Sequence, residues 1–272
     1  MTDDRLLSNI MADDGKALVI AMDHGRTGGV TPGIERPDEV FDKVFGSGAD
    51  ALMASFGILK HYRPLLAGHV PTILRVDGGI SLYQRDWLDY DDWRLMYSVD
   101  DALALGARGV IVMTFIGSGS ELETLQITAQ VAAEAARVGL PVVSEALPVK
   151  CERIPDPLDA DAMAGAARLA FEHGADVIKN YYTGSVESYR KVIESCPIPM
   201  LIAGGIASGS SRAVLQSVKD AMEAGAKGVV MGRNVWQHPD PAGMTRALAA
   251  IIHGNASVDE AVTEVAEPAA GR

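Results

Sequence analysis

A glycine–alanine pair recurs four times in this chain, always at the same kind of junction. The segments are "GSGADALMAS" from Gly46, "ALGARGVIVM" from Ala104, "EHGADVIKN" from Glu172 and "EAGAKGVVMG" from Glu223. In each, a helical pattern ends at glycine, alanine and a polar residue follow, and an apolar run begins. Glycine ends a helix in the left-handed conformation at little steric cost. An apolar run with no alternation reads as a strand buried on both faces, which is a parallel strand. The repeated unit is therefore helix, glycine, parallel strand.

Four more apolar runs lie between these junctions: "KALVIAMD" (Lys16–Asp23), "PTILRVD" (Pro71–Asp77), "PVVSEAL" (Pro141–Leu147) and "PMLIAGG" (Pro199–Gly205). The predicted strands are near residues 17–22, 50–54, 71–75, 109–113, 141–146, 175–179, 199–203 and 228–231. Predicted helices cover Pro37–Gly46, Gly57–Leu66, Val99–Gly106, Ser120–Gly139, Ala160–Gly174, Val186–Ser195, Ser210–Gly225 and Pro241–His253. Eight βα units are the number of a (β/α)8 TIM barrel. An open doubly wound sheet is the competing α/β fold, but no Gly-x-Gly-x-x-Gly follows the first strand. Length alone allows two domains, yet α/β barrels reach 272 residues as one. We expect a single domain over 1–272, with an N-terminal extension to about residue 15 and a flexible tail over 265–272. The segment Gly78–Ser98 breaks the repeat and carries two of the three tryptophans. It reads as a hairpin or helical excursion at the barrel mouth or in a subunit contact, with a substrate wall as the sharper alternative.

Barrel enzymes place their chemistry at the C-terminal ends of the strands. Strand six ends on Lys179, an unusual residue with which to finish a buried strand. Desolvation favours the neutral form of an amine, and a neutral amine attacks a ketone to form a Schiff base. The bland reading is a lysine that snorkels to solvent or pairs with a strand-end acid, and position alone leaves both open. Strand seven ends in Gly204-Gly205 and leads through Ser208, Gly209 and Ser210 into a helix; strand eight ends in Gly232-Arg233. Loops after strands seven and eight are the usual phosphate site of such barrels, where glycine admits close approach to backbone N–H groups. Arg233 adds a charge-assisted donor. Either glycine pair alone is explained by a plain turn. Strand one ends in Asp23-His24, with Asp23 suited to an amine or a substrate hydroxyl, or else to capping its loop. A lysine beside a phosphate site points to a phosphorylated carbonyl substrate.

The net charge of −12 disfavours nucleic acid and anionic membrane as partners. Cys151 and Cys196 lack metal-type spacing, no His/Asp/Glu set has it, and Schiff-base chemistry needs no metal. We expect no metal and no cofactor. No signal peptide or 18-residue apolar run is visible, so a cytoplasmic location is expected.

Five segments, "AMDHG", "ADVIKNYYTG", "CPIPMLIAGG", "KDAMEAGAKGVVMGRNVWQH" and "IIHGNASVDEAV", resemble the DhnA-type class I fructose-bisphosphate aldolases. That group includes aminodideoxyheptulosonate synthases and the autoinducer-2 thiolase. The resemblance runs from about Ala17 to Glu264 and is strongest from Ala160 onward. It implies a (β/α)8 barrel, a Schiff-base lysine at Lys179, an aspartate at Asp23, and a phosphate cradle at Gly204, Gly205, Gly232 and Arg233. It also implies a homo-oligomer, often a decamer of two rings.

One departure stands out. Aldolases of this group carry Tyr-Pro-Arg-Gly at the end of strand five, the tyrosine serving as general acid/base. Here "SEALPVK" puts Leu147 and Val149 at the tyrosine and arginine positions. Residues two apart on a strand share a face, so Glu145 lies where a carboxyl can move that proton. Its bland role is an ion pair with Lys179 or Lys150. Lys150 is the candidate to replace the arginine on a distal anionic group. The expected function is a class I aldolase acting next to a phosphorylated ketone of the dihydroxyacetone phosphate type. Transaldolase or thiolase-like acyl transfer on the same lysine, and a non-catalytic sugar-phosphate-binding barrel, are the alternatives.

Overall fold

The computed structural model describes residues 4–84, 90–205 and 210–266. Eight of the described strands close into a parallel barrel. They are β1 (Ala17–Met22), β2 (Ala51–Ala54), β3 (Thr72–Arg75), β6 (Gly109–Ile116), β7 (Val142–Pro148), β8 (Val177–Asn180), β9 (Met200–Ala203) and β10 (Gly228–Met231). The ring order is β1-β10-β9-β8-β7-β6-β3-β2, with helices between strands, so the (β/α)8 expectation is borne out. Two short strands, β4 (Asp77–Gly79) and β5 (Trp93–Leu95), form a separate antiparallel hairpin. The odd segment Gly78–Ser98 is thus a hairpin, and residues 85–89 within it lie outside the described residues.

The recurring Gly-Ala junction has a clear structural task. Gly48, Gly106, Gly174 and Gly225 all have φ between 79° and 114°, where a side chain would be strained. The polar residue that follows starts the ladder: Asp50, Arg108, Asp176 and Lys227 each donate a backbone N–H to the neighbouring strand. Two of them act twice. The Asp50 carboxylate accepts from Leu18 N–H at 2.6 Å, and Asp176 accepts from Val142 N–H at 2.9 Å. Each junction therefore ends a helix and sets the register of a strand in four residues.

Some boundaries differ from expectation. Strand β6 runs three residues past Met113, because Phe115 and Ile116 pair with Leu147 and Pro148 of β7. The expected helix Gly57–Leu66 is two helices, Phe56–His61 and Arg63–Leu66, with Pro64 in the first turn of the second. An extra short helix, Arg233–Trp236, precedes Pro241–Ile252.

Alternation along the strands fills two shells. One face of each strand packs outward on the helices, as with Leu18, Ile20, Leu52, Leu74, Val110, Val112, Ile178 and Ile202. The other face fills the lower barrel with Ala17, Val19, Ala21, Ile73, Ile111, Val143, Val177, Leu201 and Val230. Leu7, Ile10 and Met11 of the N-terminal segment join this inner cluster. Burying one Val, Leu or Ile contributes about 1.5–3 kcal/mol, so this dry floor is rigid support for what lies above it. Among the described residues, no helix is long and apolar enough to cross a membrane.

Candidate active site

Two residues further along each inward face, the apolar barrel gives way to charge. Asp23 follows Ala21, Arg75 follows Ile73, Glu145 follows Val143 and Lys179 follows Val177. All four side chains are buried. Strand pairing sets Glu145 directly beside Lys179, and Lys179 Nζ lies 2.8 Å from Glu145 Oε1. Glu145 therefore does face the interior, as strand parity requires. Leu147, two residues on, packs with Met113, Phe115 and Trp93 and presents no polar group.

Arg75, which the sequence reading passed over, binds these groups together. Its Nη2 donates to Glu145 Oε2, its Nε to Asp23 Oδ2 at 3.0 Å, and its Nη1 to Asp77 Oδ1 at 3.4 Å. Asp77 in turn accepts from Trp93 Nε1 at 2.9 Å and from Met113 N–H, so the hairpin is tied to the barrel through it. Arg26 comes in from the helix after β1. Its Nε is 3.5 Å from Asp23 Oδ2 and its guanidinium lies over the Trp93 ring. Three carboxylates, Asp23, Asp77 and Glu145, thus face three cations, Arg26, Arg75 and Lys179.

The electrostatics follow from that packing. Burial alone would raise the Glu145 carboxyl, but Lys179 and Arg75 outweigh it and hold it below its ordinary value. Asp23 behaves alike: Arg75, Arg26 and His24 override burial and keep it well below the usual carboxylate range. Burial lowers the His24 imidazole, and the positive charges of Lys179 and Arg233 act in the same direction while Asp23 opposes them. Tyr181 is pushed up to about 12, by burial first and then by the Glu145 charge.

The other expected residues are placed less uniformly. His24 Nδ1 is 3.6 Å from Asp23 Oδ1, and its ring meets Trp236 edge-on at 5.2 Å. Gly232 cannot be replaced without a clash, since a Cβ there would sit 2.6 Å from Ala21 O and 2.7 Å from His24 Cε1. Gly204 gives its N–H to Val230 O at 3.4 Å, and a Cβ there would collide with Asn234 Oδ1. Gly205 is exposed and lines a cavity of about 270 Å³ together with Tyr181, Ala203, Met231 and Asn234. Arg233 is half-buried and close enough for its charge to act on both His24 and Tyr181. Lys150 is exposed beyond the end of β7 and is not brought into the buried group. Ser208 and Gly209 fall outside the described residues.

Among the described residues, the buried side-chain atoms without a hydrogen-bond partner are His24 Nδ1, Arg26 Nε and Nη1, and Asn234 Oδ1. All belong to the C-terminal ends of β1 and β10. Native interiors pair most such atoms with protein or ordered water, and here the four unpaired ones gather at one barrel mouth. No group of three or more His, Cys, Asp or Glu suited to a metal ion is found among the described residues.

Comparison with known proteins identifies the family. Residues 17–238 match the model of the DeoC/LacD family aldolases. The chain is 38% identical over 256 residues to 2-amino-3,7-dideoxy-D-threo-hept-6-ulosonate synthase of Halobacterium salinarum, covering 93% of each chain. It is 34% identical to the class 1 fructose-bisphosphate aldolase of Halobacterium salinarum, covering 93% of this chain and 96% of that one. An archaeal fructose-1,6-bisphosphate aldolase, solved with its catalytic lysine covalently bound to the carbinolamine intermediate, superposes with a TM-score of 0.84. That match is at 29% identity and covers 92% of this chain and 99% of the other. With the match running from the first barrel strand to beyond the last, and relatives aligned over nearly their whole length, the chain belongs to the DeoC/LacD aldolase family.

Proposed function

We propose that the protein is a class I aldolase in which Lys179 forms a Schiff base with a phosphorylated ketone of the dihydroxyacetone phosphate type. The observation that carries this reading is the buried contact between Lys179 Nζ and Glu145 Oε1 at 2.8 Å. It gives the lysine a partner to which a proton can be handed before attack. In the cleavage direction, Lys179 passes its proton to Glu145 and the free amine adds to the substrate carbonyl carbon. Glu145 returns the proton to the hydroxyl of the carbinolamine, which leaves as water and generates the iminium. The electron pair of the adjacent carbon–carbon bond then moves into the iminium to give an enamine, as Asp23 takes the proton of the hydroxyl that becomes the aldehyde. Protonation of the enamine and hydrolysis release the ketone and restore the lysine.

The substrate's phosphate is assigned to the mouth of β9 and β10, with Gly205, Gly232 and Arg233 as donors. Gly204 shapes this cradle, its own N–H being engaged with Val230. Asn234 lines the same cavity as Gly205. The similarity to fructose-bisphosphate aldolases supports a sugar phosphate as substrate. A homo-oligomer fits the exposed apolar residues Leu65, Met96, Tyr97 and Leu103, of which Tyr97 stacks on Phe56. Lys179→Met tests the chemistry: turnover should vanish while the circular dichroism spectrum is unchanged. Turnover that survives in this variant would remove Lys179 from the mechanism.

A further inference from the structure

Arg75 is the most deeply buried cation in the mouth, with its side chain 1% exposed. It contacts both carboxylates to which the chemistry above assigns a proton. Asp23 and Glu145 face each other across the barrel interior, and the charge of Asp23 pushes Glu145 toward its protonated form. Two buried carboxylates in such proximity tend to share one proton unless a cation separates them. The proposed reaction needs both ionised, one to take the proton of Lys179 and one to take a substrate proton.

The guanidinium meets that need by its shape. Nε holds Asp23 Oδ2 and Nη2 holds Glu145 Oε2. This leaves Glu145 Oε1 for Lys179 and turns Asp23 Oδ1 toward His24. A planar fork reaches several acceptors at fixed angles, which a lysine ammonium does not. Asp77 holds the third edge, and Asp77 is itself fixed by Trp93 and Met113. We propose that Arg75 is a positioning residue that keeps Asp23 and Glu145 ionised together and fixes which oxygen of each faces the reacting centre. The groups around Glu145 that enter its titration are Lys179 and Tyr181 from β8 and its loop, Arg75 from β3, and Asp23, His24 and Arg26 from the end of β1.

This inference rests on the Schiff-base reading, and its test separates the two. The rate of cyanoborohydride trapping of dihydroxyacetone phosphate is followed against pH by intact mass in wild type, Arg75→Lys and Asp77→Asn. In Arg75→Lys, trapping at neutral pH should slow about 10²-fold, the cost of misplacing reacting groups by an ångström. Its acid limb should move up by about one pH unit or more, because a single ammonium does not hold Asp23 and Glu145 at once as the fork does. In Asp77→Asn the amide still accepts from Trp93 and Met113, and Arg75 is left to Asp23 and Glu145 alone, so the acid limb should move down. A folded Arg75→Lys whose acid limb stays in place overturns the proposal. If that variant does not fold, Asp77→Asn decides, and an acid limb that stays or rises overturns it. Absence of any adduct in wild type would instead reject the Schiff-base reading itself.

Discussion

Replacing Glu145 by glutamine removes one charge and one proton site while keeping the shape of the side chain. In the structure that carboxylate serves two cations at once, Lys179 through Oε1 at 2.8 Å and Arg75 through Oε2. Proton transfer by a positioned group is worth about 10²–10⁴ in rate. At 1.36 kcal/mol per decade this is about 3–5 kcal/mol of transition-state stabilisation. Glu145→Gln should therefore lower kcat by about 10²–10⁴. Stability should fall as well, by about 3 kcal/mol, because breaking a buried pair leaves cations uncompensated while the amide oxygen still accepts one hydrogen bond. The assay is steady-state cleavage of fructose 1,6-bisphosphate or condensation from dihydroxyacetone phosphate, with urea unfolding in parallel. Leu147→Tyr in the Gln background provides the reciprocal test, since a hydroxyl one step further on the same face restores a proton carrier. A Gln variant that turns over at the wild-type rate would refute the assignment of Glu145 as proton carrier.

Two further outcomes follow from the same geometry. Arg233→Ala should raise KM for the phosphorylated donor more than it lowers kcat, because a phosphate held equally in ground and transition states contributes only uniform binding; a pure kcat defect would contradict this. The protein should lose stability on acidification: Asp23 and Glu145 have folded-state values below their unfolded ones. Their contribution is complete above the ordinary carboxylate range and disappears as pH falls through the folded values, so the urea midpoint should be lower at about pH 3 than at about pH 7.

The barrel was legible because its repeat encodes two physical acts, a left-handed glycine and a ladder-starting polar residue, at each strand entry. Lys179 and Asp23 were legible as strand-end residues, and Glu145 because it shares a strand face with Leu147. Arg75 was not recognised, because it lies inside the apolar run "TILRVD" and not beyond its end. The signal was present: Ile73, Arg75 and Asp77 share one face, and three acids at one mouth need cations beside them. Arg26 and Asn234 were missed because they sit on short helices after the strands, where parity gives no direction. Lys150 was expected to replace the arginine of the related Tyr-Pro-Arg-Gly segment, and the chain leaves β7 with that side chain exposed. The strand extension of β6 and the pairing that sustains it depend on contacts with β7 that a single strand's pattern does not reveal.

The most direct test is borohydride reduction in the presence of dihydroxyacetone phosphate, with the modified peptide located by mass spectrometry. The expected result is one adduct per chain with the mass of the reduced donor, on Lys179, absent from Lys179→Met. An adduct on any other lysine, or none although the protein cleaves its substrate, would contradict a Schiff-base mechanism centred on Lys179.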